Sequence, residues 1–596
     1  MTLELASDKI QNHVQKMGSF QIRALAVLMA MSFLNTPVVV LCSVFVLYTP
    51  SHRCYVPSID DQNLSTSALG GKQSSSSINS NDFASVSNSS ILYQHIPTEP
   101  GPDGNLRWSQ CHIYVKGDNS SVSNRSQTTC VEGWVFDIDN HVFSAAMEFS
   151  LVCDQAYMAP LAPSLSMFGY MVGAMAGGYV SDRFGRQFTQ LSTCLAVTLL
   201  TIILAFLPVW YAAYFLWFAM GCVVTSREIS MMSLVNETTP SRYRHLVGTM
   251  IMLSAALGYM AVPGFSYIFP NWRHVLAVYG GLEVIVLLMT FFFVHESLSW
   301  LMQKNKAKKA KKLLLVMSKV NNFAIENTEI LLKKNDTEEQ DTSENKKTEE
   351  NLSYSDLLTI SFLRKRWAIF AIGWFAVTLA YYGLSLNTNN IGGNRYLANF
   401  IGAATELPGT LVCFLTMKKL GGRRSFMFTT GFSSVCLLIT PLLEFGGKWF
   451  TITSTMLGKL LISGSLANLY IFTGELFPTL LRTQALGGCT FLARIAGILA
   501  PFMVFIGEEL NPHIPYIVPG LVGLVATAAM FFLPETKFQP LPDTIEDAQN
   551  QERNSIRLSC AKKTVNNRSN ENEDVLKPVL EIPNVETQSK KETCFE

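Results

Sequence analysis

Charged residues are scarce in this chain of 596 residues. Asp, Glu, Lys and Arg make up 15 % of it, against about 25 % in a typical soluble domain. The 46 basic and 45 acidic side chains give a formal net charge of +1, which implies no general attraction to nucleic acid. Hydrophobic residues make up 48 % and include 38 phenylalanines. This composition is typical of a chain that crosses the lipid bilayer several times.

Sequence signatures of catalysis are also missing. The chain has no Gly-x-x-x-x-Gly-Lys-Ser/Thr loop, which argues against an ATP-driven pump. It has no nucleophile elbow, and its Cys and His residues do not follow metal-ligand spacing. We therefore expect no enzyme, no metal site and no cofactor beyond a coupling ion of unknown identity. Residues 1–20 lack the apolar core of a signal peptide, so we expect the first apolar run to be retained.

Long apolar runs dominate the rest of the chain. A helix needs roughly 20 mostly apolar residues to span a bilayer, and we count twelve candidates. They centre near Val38, Gly169, Val197, Phe218, Leu253, Val286, Ala376, Leu407, Val435, Leu460, Ile495 and Val525. We expect an all-α membrane protein with a cytoplasmic N-terminus (1–21), a six-helix bundle (22–301), a cytoplasmic loop (302–366), a second six-helix bundle (367–536) and a disordered cytoplasmic tail (537–596).

The polar segment at about 49–157 has the features of an extracellular loop. It contains glycosylation sequons at Asn63, Asn88, Asn119 and Asn124 and the cysteines Cys54, Cys111, Cys130 and Cys153. Four cysteines beside glycan sites indicate two disulfides, for which three pairings are possible. The alternative is a flexible linker with chance sequons. Basic residues concentrate in the joints on the other side, which places both termini in the cytoplasm of a plasma-membrane protein.

The two halves of the chain repeat each other. Gly185-Arg186-Gln187 matches Gly422-Arg423-Arg424, and Glu296-Ser297 matches Glu535-Thr536 at almost the same separation. Glu237 and Arg244 likewise match Glu475 and Arg482. Two parallel repeats imply a substrate site between them at the middle of the membrane.

Acidic and basic residues recur at the cytoplasmic ends of both repeats. We predict gating ion pairs among Asp182, Arg183, Arg186, Glu237, Arg244, Arg423, Glu475 and Arg482. Such pairs would hold one face closed and separate as the halves rock. The alternative is ordinary positive-inside topology with incidental acids.

Several polar residues fall inside the predicted spans. An ionised side chain costs at least ~2.5–3.5 kcal/mol at the bilayer centre, so it needs a partner or a wet cavity. The candidate substrate contacts are Asn35, Arg227, Glu228, Tyr381, Tyr382, Glu406, Lys459, Tyr470 and Arg494. Asn35 could equally bond another helix, and Glu283 is a further charge in the sixth span. Tyrosine rings would attract an alkylammonium group.

Three motifs resemble the organic ion transporter family of the major facilitator superfamily, including its insect members. They are Ser181-Asp182-Arg183-Phe184-Gly185-Arg186, Gly474-Glu475-Leu476-Phe477-Pro478-Thr479 and Leu533-Pro534-Glu535-Thr536. The resemblance implies the major facilitator fold, with twelve transmembrane helices in two parallel six-helix repeats, and alternating access. Ser299 stands where the family has arginine, and the loop at Lys419–Arg424 lacks the family's acid.

The resemblance also bears on the substrate. Arg494 occupies a position where the family's cation carriers resemble one another in having aspartate, whereas its anion and carnitine-type members have arginine. An arginine holds a carboxylate through two hydrogen bonds, although Arg494 could instead pair with a nearby glutamate. Thr410 replaces a lysine typical of anion carriers, and Glu406 precedes it. We therefore expect a transporter of carnitine-like zwitterions or organic cations. The alternatives are an organic anion exchanger or a channel or receptor.

Overall fold

The structure, a computed structural model, describes residues 17–36, 42–57, 76–79, 95–100, 106–115, 125–138, 142–304, 306–321, 354–390, 394–443, 447–537, 542 and 545–549. The predicted glycosylation sites Asn63, Asn88, Asn119 and Asn124 lie outside these residues. Most of the expected tail, from position 550 onward, also lies outside them.

Twelve long helices make up the two halves of the described chain. The N-terminal half contains α1 (Ser19–Thr36), α2 (Met158–Phe184), α3 (Arg186–Ala205), α4 (Trp210–Thr238), α5 (Arg244–Ile268) and α6 (Trp272–Phe293). The C-terminal half contains α7 (Ser361–Leu386), α8 in two segments (Arg395–Ala404 and Glu406–Leu420), α9 (Gly422–Ile439), α10 (Lys448–Leu476), α11 (Thr479–Glu509) and α12 (Ile514–Met530).

Length and composition alone identify nine membrane spans in the described residues, namely the helices from α3 to α11. The helices α1 and α12 are apolar but shorter. The helix α2 has 27 residues, but glycines and serines lower its hydropathy. Together these helices confirm the predicted twelve-helix, all-α membrane fold.

Shorter elements connect the long helices. The short helices are Ser43–Val46, Ala145–Glu148, Leu298–Gln303, Ala307–Asn321 and Tyr354–Thr359, with 3-10 turns at Cys153–Gln155, Ser241–Tyr243 and Asn387–Asn390. The strands, all between α1 and α2, are β1 (His52–Cys54), β2 (Ser76–Asn79), β3 (Thr98–Pro100), β4 (Leu106–Trp108), β5 (His112–Tyr114), β6 (Gln127–Thr129) and β7 (Trp134–Ile138). In the three-stranded sheet β7 lies between β1, which is antiparallel to it, and β2, which is parallel to it. Two antiparallel pairs, β3 with β4 and β5 with β6, complete the strands.

Two disulfides join the strand-rich segment. Of the three pairings left open by the sequence, the structure contains Cys54–Cys130 and Cys111–Cys153. The first ties β1 to the residue just after β6. The second ties the segment to the turn that precedes α2, so the segment is fixed to the helical bundle at its end.

Helix packing follows the same plan in both halves. In the first half α2 packs on α4, α3 on α6 and α1 on α5; in the second α8 packs on α10, α9 on α12 and α7 on α11. Each pair in one half corresponds to a pair six helices later, so the two six-helix repeats are parallel. The halves meet where α2 packs on α11 and α5 packs on α8.

Glycines allow the closest of these approaches. A Cβ atom added at Gly169 or Gly173 in α2 would overlap backbone atoms of α4, and one added at Gly221 in α4 would overlap Ser166. In the second half, a Cβ at Gly409 would fall 2.5 Å from the carbonyl oxygen of Leu460. Helices in lipid associate mainly through such close packing, because the bilayer supplies no hydrophobic drive.

A buried ionic cluster joins four helices of the first half. Arg227 in α4 donates to Glu283 in α6 at 2.8 and 3.0 Å and to Asn35 in α1 at 2.7 and 3.0 Å. Its Nη1 also lies 3.8 Å from the Sγ of Cys194 in α3. A guanidinium group has five N–H donors, and these contacts use all of them. The sequence predicted Arg227 and Asn35 as substrate contacts. In the structure Arg227 has no donor left for a ligand, and Asn35 accepts from it.

Breaking this cluster should destabilise the fold. We expect Arg227→Leu to lower the free energy of unfolding by about 3–5 kcal/mol, because it leaves the carboxylate of Glu283 buried without its partner. The side chains of Arg227 and Glu283 are 1 % and 0 % exposed. The double variant Arg227→Leu/Glu283→Leu removes both charges and should recover part of the loss. Denaturant unfolding of the purified variants in detergent measures these differences. A single variant as stable as the wild type would contradict this assignment.

Candidate functional site

Arg494 lies at the boundary between the two halves. Its guanidinium carbon is 5.1 Å from the ring centre of Tyr170 in α2, and its Nη1 is 3.5 Å from the hydroxyl oxygen of Tyr382 in α7. Within the described part of the chain, no carboxylate lies within 4.0 Å of it. Arg494 therefore contacts both halves but has no ion-pair partner, in contrast to Arg227.

Glu228 is the carboxylate that faces Arg494 from the other half. It follows Arg227 in α4 and is partly exposed. It interacts electrostatically with Arg494 and Arg227, but it forms no hydrogen bond or ion pair with any residue that the structure describes. An unpaired acid in the first half and an unpaired base in the second half thus lie near each other without touching.

Glu406 is more fully engaged than the sequence suggested. The structure begins the second segment of α8 at this residue, and the hydroxyl of Tyr381 in α7 donates to its Oε1 at 2.5 Å. Lys459 in α10 also interacts with it electrostatically. The Nζ of Lys459, whose side chain is buried, donates to the hydroxyl of Tyr259 in α5 at 2.8 Å. This second contact crosses the boundary between the halves.

Aromatic rings complete the surroundings of Arg494. The rings of Tyr381 and Tyr382 meet edge to face at 5.2 Å, and Tyr470 meets Trp374 edge to face at 4.6 Å. Tyr470 is 48 % exposed, and it interacts electrostatically with both Arg494 and Glu228. Tyr470 therefore presents an exposed ring close to two charges at the boundary between the halves.

Sequence reasoning missed Tyr170 and Tyr259. Both are deeply buried and belong to the first half, yet each contacts a cation of the second half. No spacing or motif marks either residue, because tyrosines are common in this chain. Only the packing of α2 on α11 and of α5 on α8 brings them to the site.

A network of charges connects the end of α2, the start of α3 and the end of α4 in the first half. Arg186 at the start of α3 donates to Glu237 in α4 at 2.8 Å and pairs with Asp182 in α2 at 3.0 Å. Glu296 accepts from the backbone N–H of Arg186 at 2.8 Å, at the positive end of the α3 dipole. Gly185, with φ of +110°, forms the single-residue joint between α2 and α3, and a side chain there would collide with Glu296.

The second half repeats the helix cap more loosely. Glu535 accepts from the backbone N–H groups of Arg423 and Arg424 at 3.4 and 3.3 Å. The joint before α9 is Gly421, with φ of +91°, one position before the glycine matched in the sequence repeat. Arg423 donates to the carbonyl oxygen of Leu533 at 2.8 Å.

The remaining predicted gate residues differ in their contacts. Glu475 and Arg482 form no ion pair with each other or with other described residues, so the predicted pair is absent from this conformation. The Nε and Nη2 atoms of Arg482 are buried without acceptors. Arg183 is exposed and lies over the rings of Tyr179 and Phe184. Arg244 donates to the carbonyl oxygen of Thr239 at 3.3 Å.

One group of potential metal ligands occurs outside the bundle. His52, Cys111 and Cys153 place their ligand atoms within 4.8 Å of one another. However, Cys111 and Cys153 form a disulfide, so their sulfur atoms are not thiolates. Burial lowers the pKa of His52, which keeps its ring neutral.

Comparison with known proteins identifies the family. The Sugar (and other) transporter family matches residues 122–547. The "Organic cation transporter protein" of Drosophila melanogaster is 30 % identical over 73 % of this chain and 79 % of its own length. Rat "Solute carrier family 22 member 3" is 30 % identical over 76 % of this chain and 82 % of its own, and mouse "Solute carrier family 22 member 2" is 29 % identical over 92 % and 96 %.

Solved structures agree in fold. The inward-open xylose transporter XylE from E. coli has a TM-score of 0.51 and 15 % identity, over 68 % of this chain and 91 % of its own. A D-xylose-proton symporter has a TM-score of 0.50 and 16 % identity, over 65 % and 91 %. At these identities the likeness concerns the fold alone. The chain is therefore a membrane transporter, not an enzyme, and it belongs to the Sugar (and other) transporter family and, within it, to the group of the organic cation transporter and solute carrier family 22.

Proposed function

We propose that the protein carries small organic ions across the plasma membrane by alternating access, and that its preferred substrates are carnitine-like zwitterions. The single observation that carries this proposal is the facing pair of unpaired charges, Arg494 in the second half and Glu228 in the first. Relatives whose names refer to organic cations support the substrate class. A small organic ion and the lipid bilayer are then its partners, with both termini in the cytoplasm.

Arg494 and Glu228 would contact opposite ends of the substrate. Arg494 offers a planar set of donors that suits a carboxylate. Glu228 suits an ammonium group, and the rings of Tyr170, Tyr382 and Tyr470 would add cation–π attraction of roughly 0.5–2 kcal/mol each when desolvated. A zwitterion satisfies both charges at once, whereas a simple cation or anion leaves one of them unpaired in a medium of low dielectric constant.

Substrate binding would also couple to the movement of the halves. Glu228 and Arg494 lie on opposite halves, so a ligand that bridges them favours the conformation in which they are closest. The ion pairs of Arg186 with Glu237 and Asp182 would close the cytoplasmic side in one conformation, and Glu475 with Arg482 would pair in another. Rocking around a fixed central site is the usual mechanism of transporters built from repeats.

An organic anion exchanger is the second candidate. Lys459 is a further cation near the boundary, and its contact with Tyr259 uses only one of its three donors. With Arg494 it would give the cleft two cations for a substrate that carries only negative charge. The two candidate functions differ in the role of Glu228. Its carboxylate would repel an anion, whereas it would bind the ammonium group of a zwitterion.

Removing the positive charge of Arg494 should impair binding of the carboxylate. We expect Arg494→Ala to raise the KM for a labelled zwitterion by about 10- to 100-fold, since a hydrogen bond to a charged group contributes roughly 1.5–3 kcal/mol. Saturable uptake by cells expressing equal surface amounts of each variant measures this change. Lys448→Ala, which removes an exposed cation at the start of α10, should leave the KM unchanged. Equal KM values for Arg494→Ala and the wild type would refute the assignment.

Neutralising Glu228 should separate the two candidates. We expect Glu228→Gln to weaken inhibition by carnitine about tenfold or more and to leave or strengthen inhibition by an aromatic carboxylate, because only the zwitterion uses the acid. Competition uptake with carnitine, a quaternary ammonium cation and an aromatic carboxylate provides the measurement. If both carboxylate compounds respond identically to the substitution, the zwitterion proposal fails and the anion candidate gains.

A further inference from the structure

Seven lysines cluster immediately after the first six-helix repeat. No acidic residue occurs between positions 304 and 321. The lysines are Lys304, Lys306, Lys308, Lys309, Lys311, Lys312 and Lys319, and each is exposed. We call this set the lysine patch. Basic runs in cytoplasmic loops are expected from topology alone. Such a run forms a binding surface only where the fold holds its side chains in place.

The lysine patch is held rigidly against the bundle. Its helix, Ala307–Asn321, buries Ala310, Leu313 and Leu314 in an apolar cluster that includes Trp300 and Phe20 of α1. Lys308, Lys312 and Lys319 lie on the opposite face of this helix, and Lys309 and Lys311 lie on its sides. The apolar side of the helix is thus already covered by the protein, and only the charged side is available to a partner.

The lysine patch lies close to the membrane boundary in the chain. The helix α6 ends at Phe293, and the rings of Phe291 and Phe292 are 64 % and 66 % exposed, as expected for side chains that face lipid. The short helix Leu298–Gln303 follows, and Lys304 comes directly after it. Clusters of four to eight basic residues just beyond a membrane span typically meet anionic headgroups.

Four lysines of the patch have no acidic partner within the described residues. Lys306 lies 4.3 Å from the ring centre of Trp300. Lys304, Lys308, Lys309 and Lys312 form no ion pair within 4.0 Å in the ranges that the structure covers. Exposed ammonium groups at a membrane surface attract negative headgroups over about one Debye length, ~8 Å at physiological salt.

We propose that the lysine patch binds the headgroups of anionic phospholipids in the adjoining leaflet. This inference rests on the proposed orientation but not on the substrate. Leu313 and Leu314 line the same pocket as Glu237 and Glu296 of the charge network at the helix ends. Lipid bound on the outer face of the helix therefore holds one wall of that pocket in place, and the transport rate should depend on anionic lipid.

An acidic stretch of the same loop is the other candidate occupant. The stretch 335–350 of the same loop, which lies outside the described residues, contains seven acidic residues. Lys346 and Lys347 within it, with Lys333 and Lys334 just before it, offset part of that charge. The anionic leaflet adjoins the end of α6 and presents many negative headgroups at once, so we favour the membrane.

The test uses the full chain reconstituted into bilayers of phosphatidylcholine with a minor fraction of phosphatidylserine. Spin-labelled lipids report how strongly the protein prefers phosphatidylserine to phosphatidylcholine at its perimeter. We expect the wild type to prefer phosphatidylserine and this preference to fall as salt is added. The variant Lys304→Gln/Lys308→Gln/Lys309→Gln/Lys312→Gln should lower the preference about tenfold, since each lysine contributes roughly fivefold at most. The corresponding arginine variant should retain it, and uptake should follow the same order.

The matched control changes the same number of charges in the same loop. Lys333→Gln/Lys334→Gln/Lys346→Gln/Lys347→Gln should leave the lipid preference unaltered. Three results would overturn the proposal: no salt-sensitive preference in the wild type, equal effects of the two glutamine variants, or a preference that arises only after residues 335–350 are deleted. The last result would assign the lysine patch to the acidic stretch of the chain itself.

Discussion

An ionised side chain inside a membrane must find a partner, and this requirement organises the protein. Two arginines meet this requirement in different ways. Arg227 directs all its donors to Glu283, Asn35 and Cys194, and so joins four helices of one half. Among the described residues, Arg494 has no acid within ion-pair distance, and it contacts Tyr170 and Tyr382 at the seam between the halves. The first arginine stabilises a bundle, whereas we propose that the second keeps its charge for a ligand.

The repeat explains why such a seam exists. Each half satisfies its own packing through corresponding helix pairs and glycine contacts, so each can move as a unit. The halves meet through α2 on α11 and α5 on α8, and Lys459 donates one hydrogen bond to Tyr259 across this boundary. In the proposed mechanism, polar residues along the seam would face each side of the membrane in turn as the halves rock. The proposed site of opposite charges then needs no separate binding domain.

The sequence predicted the fold well, because spanning a bilayer demands long apolar runs that are visible without a structure. Even so, glycines and serines lower the hydropathy of α2. The break of α8 before Glu406 is accompanied by Pro408, which cannot donate a hydrogen bond to the carbonyl of Ala404. Partner choice was harder to predict. The pairing of Arg227 with Glu283 and of Arg186 with Glu237 depends on which helices adjoin, and spacing along the chain does not encode this. For the same reason Glu228 emerges only in the structure as the less engaged carboxylate, whereas Glu406 accepts from Tyr381.

The central claim is that Arg494 holds a substrate carboxylate. Its most direct test compares a zwitterionic inhibitor with its methyl ester, which keeps the ammonium group and removes the negative charge. We predict that esterification weakens inhibition of the wild-type transporter by about tenfold or more. For the Arg494→Ala variant, the ester and the zwitterion should inhibit the residual uptake almost equally. An ester that inhibits the wild type as strongly as the zwitterion would contradict the account.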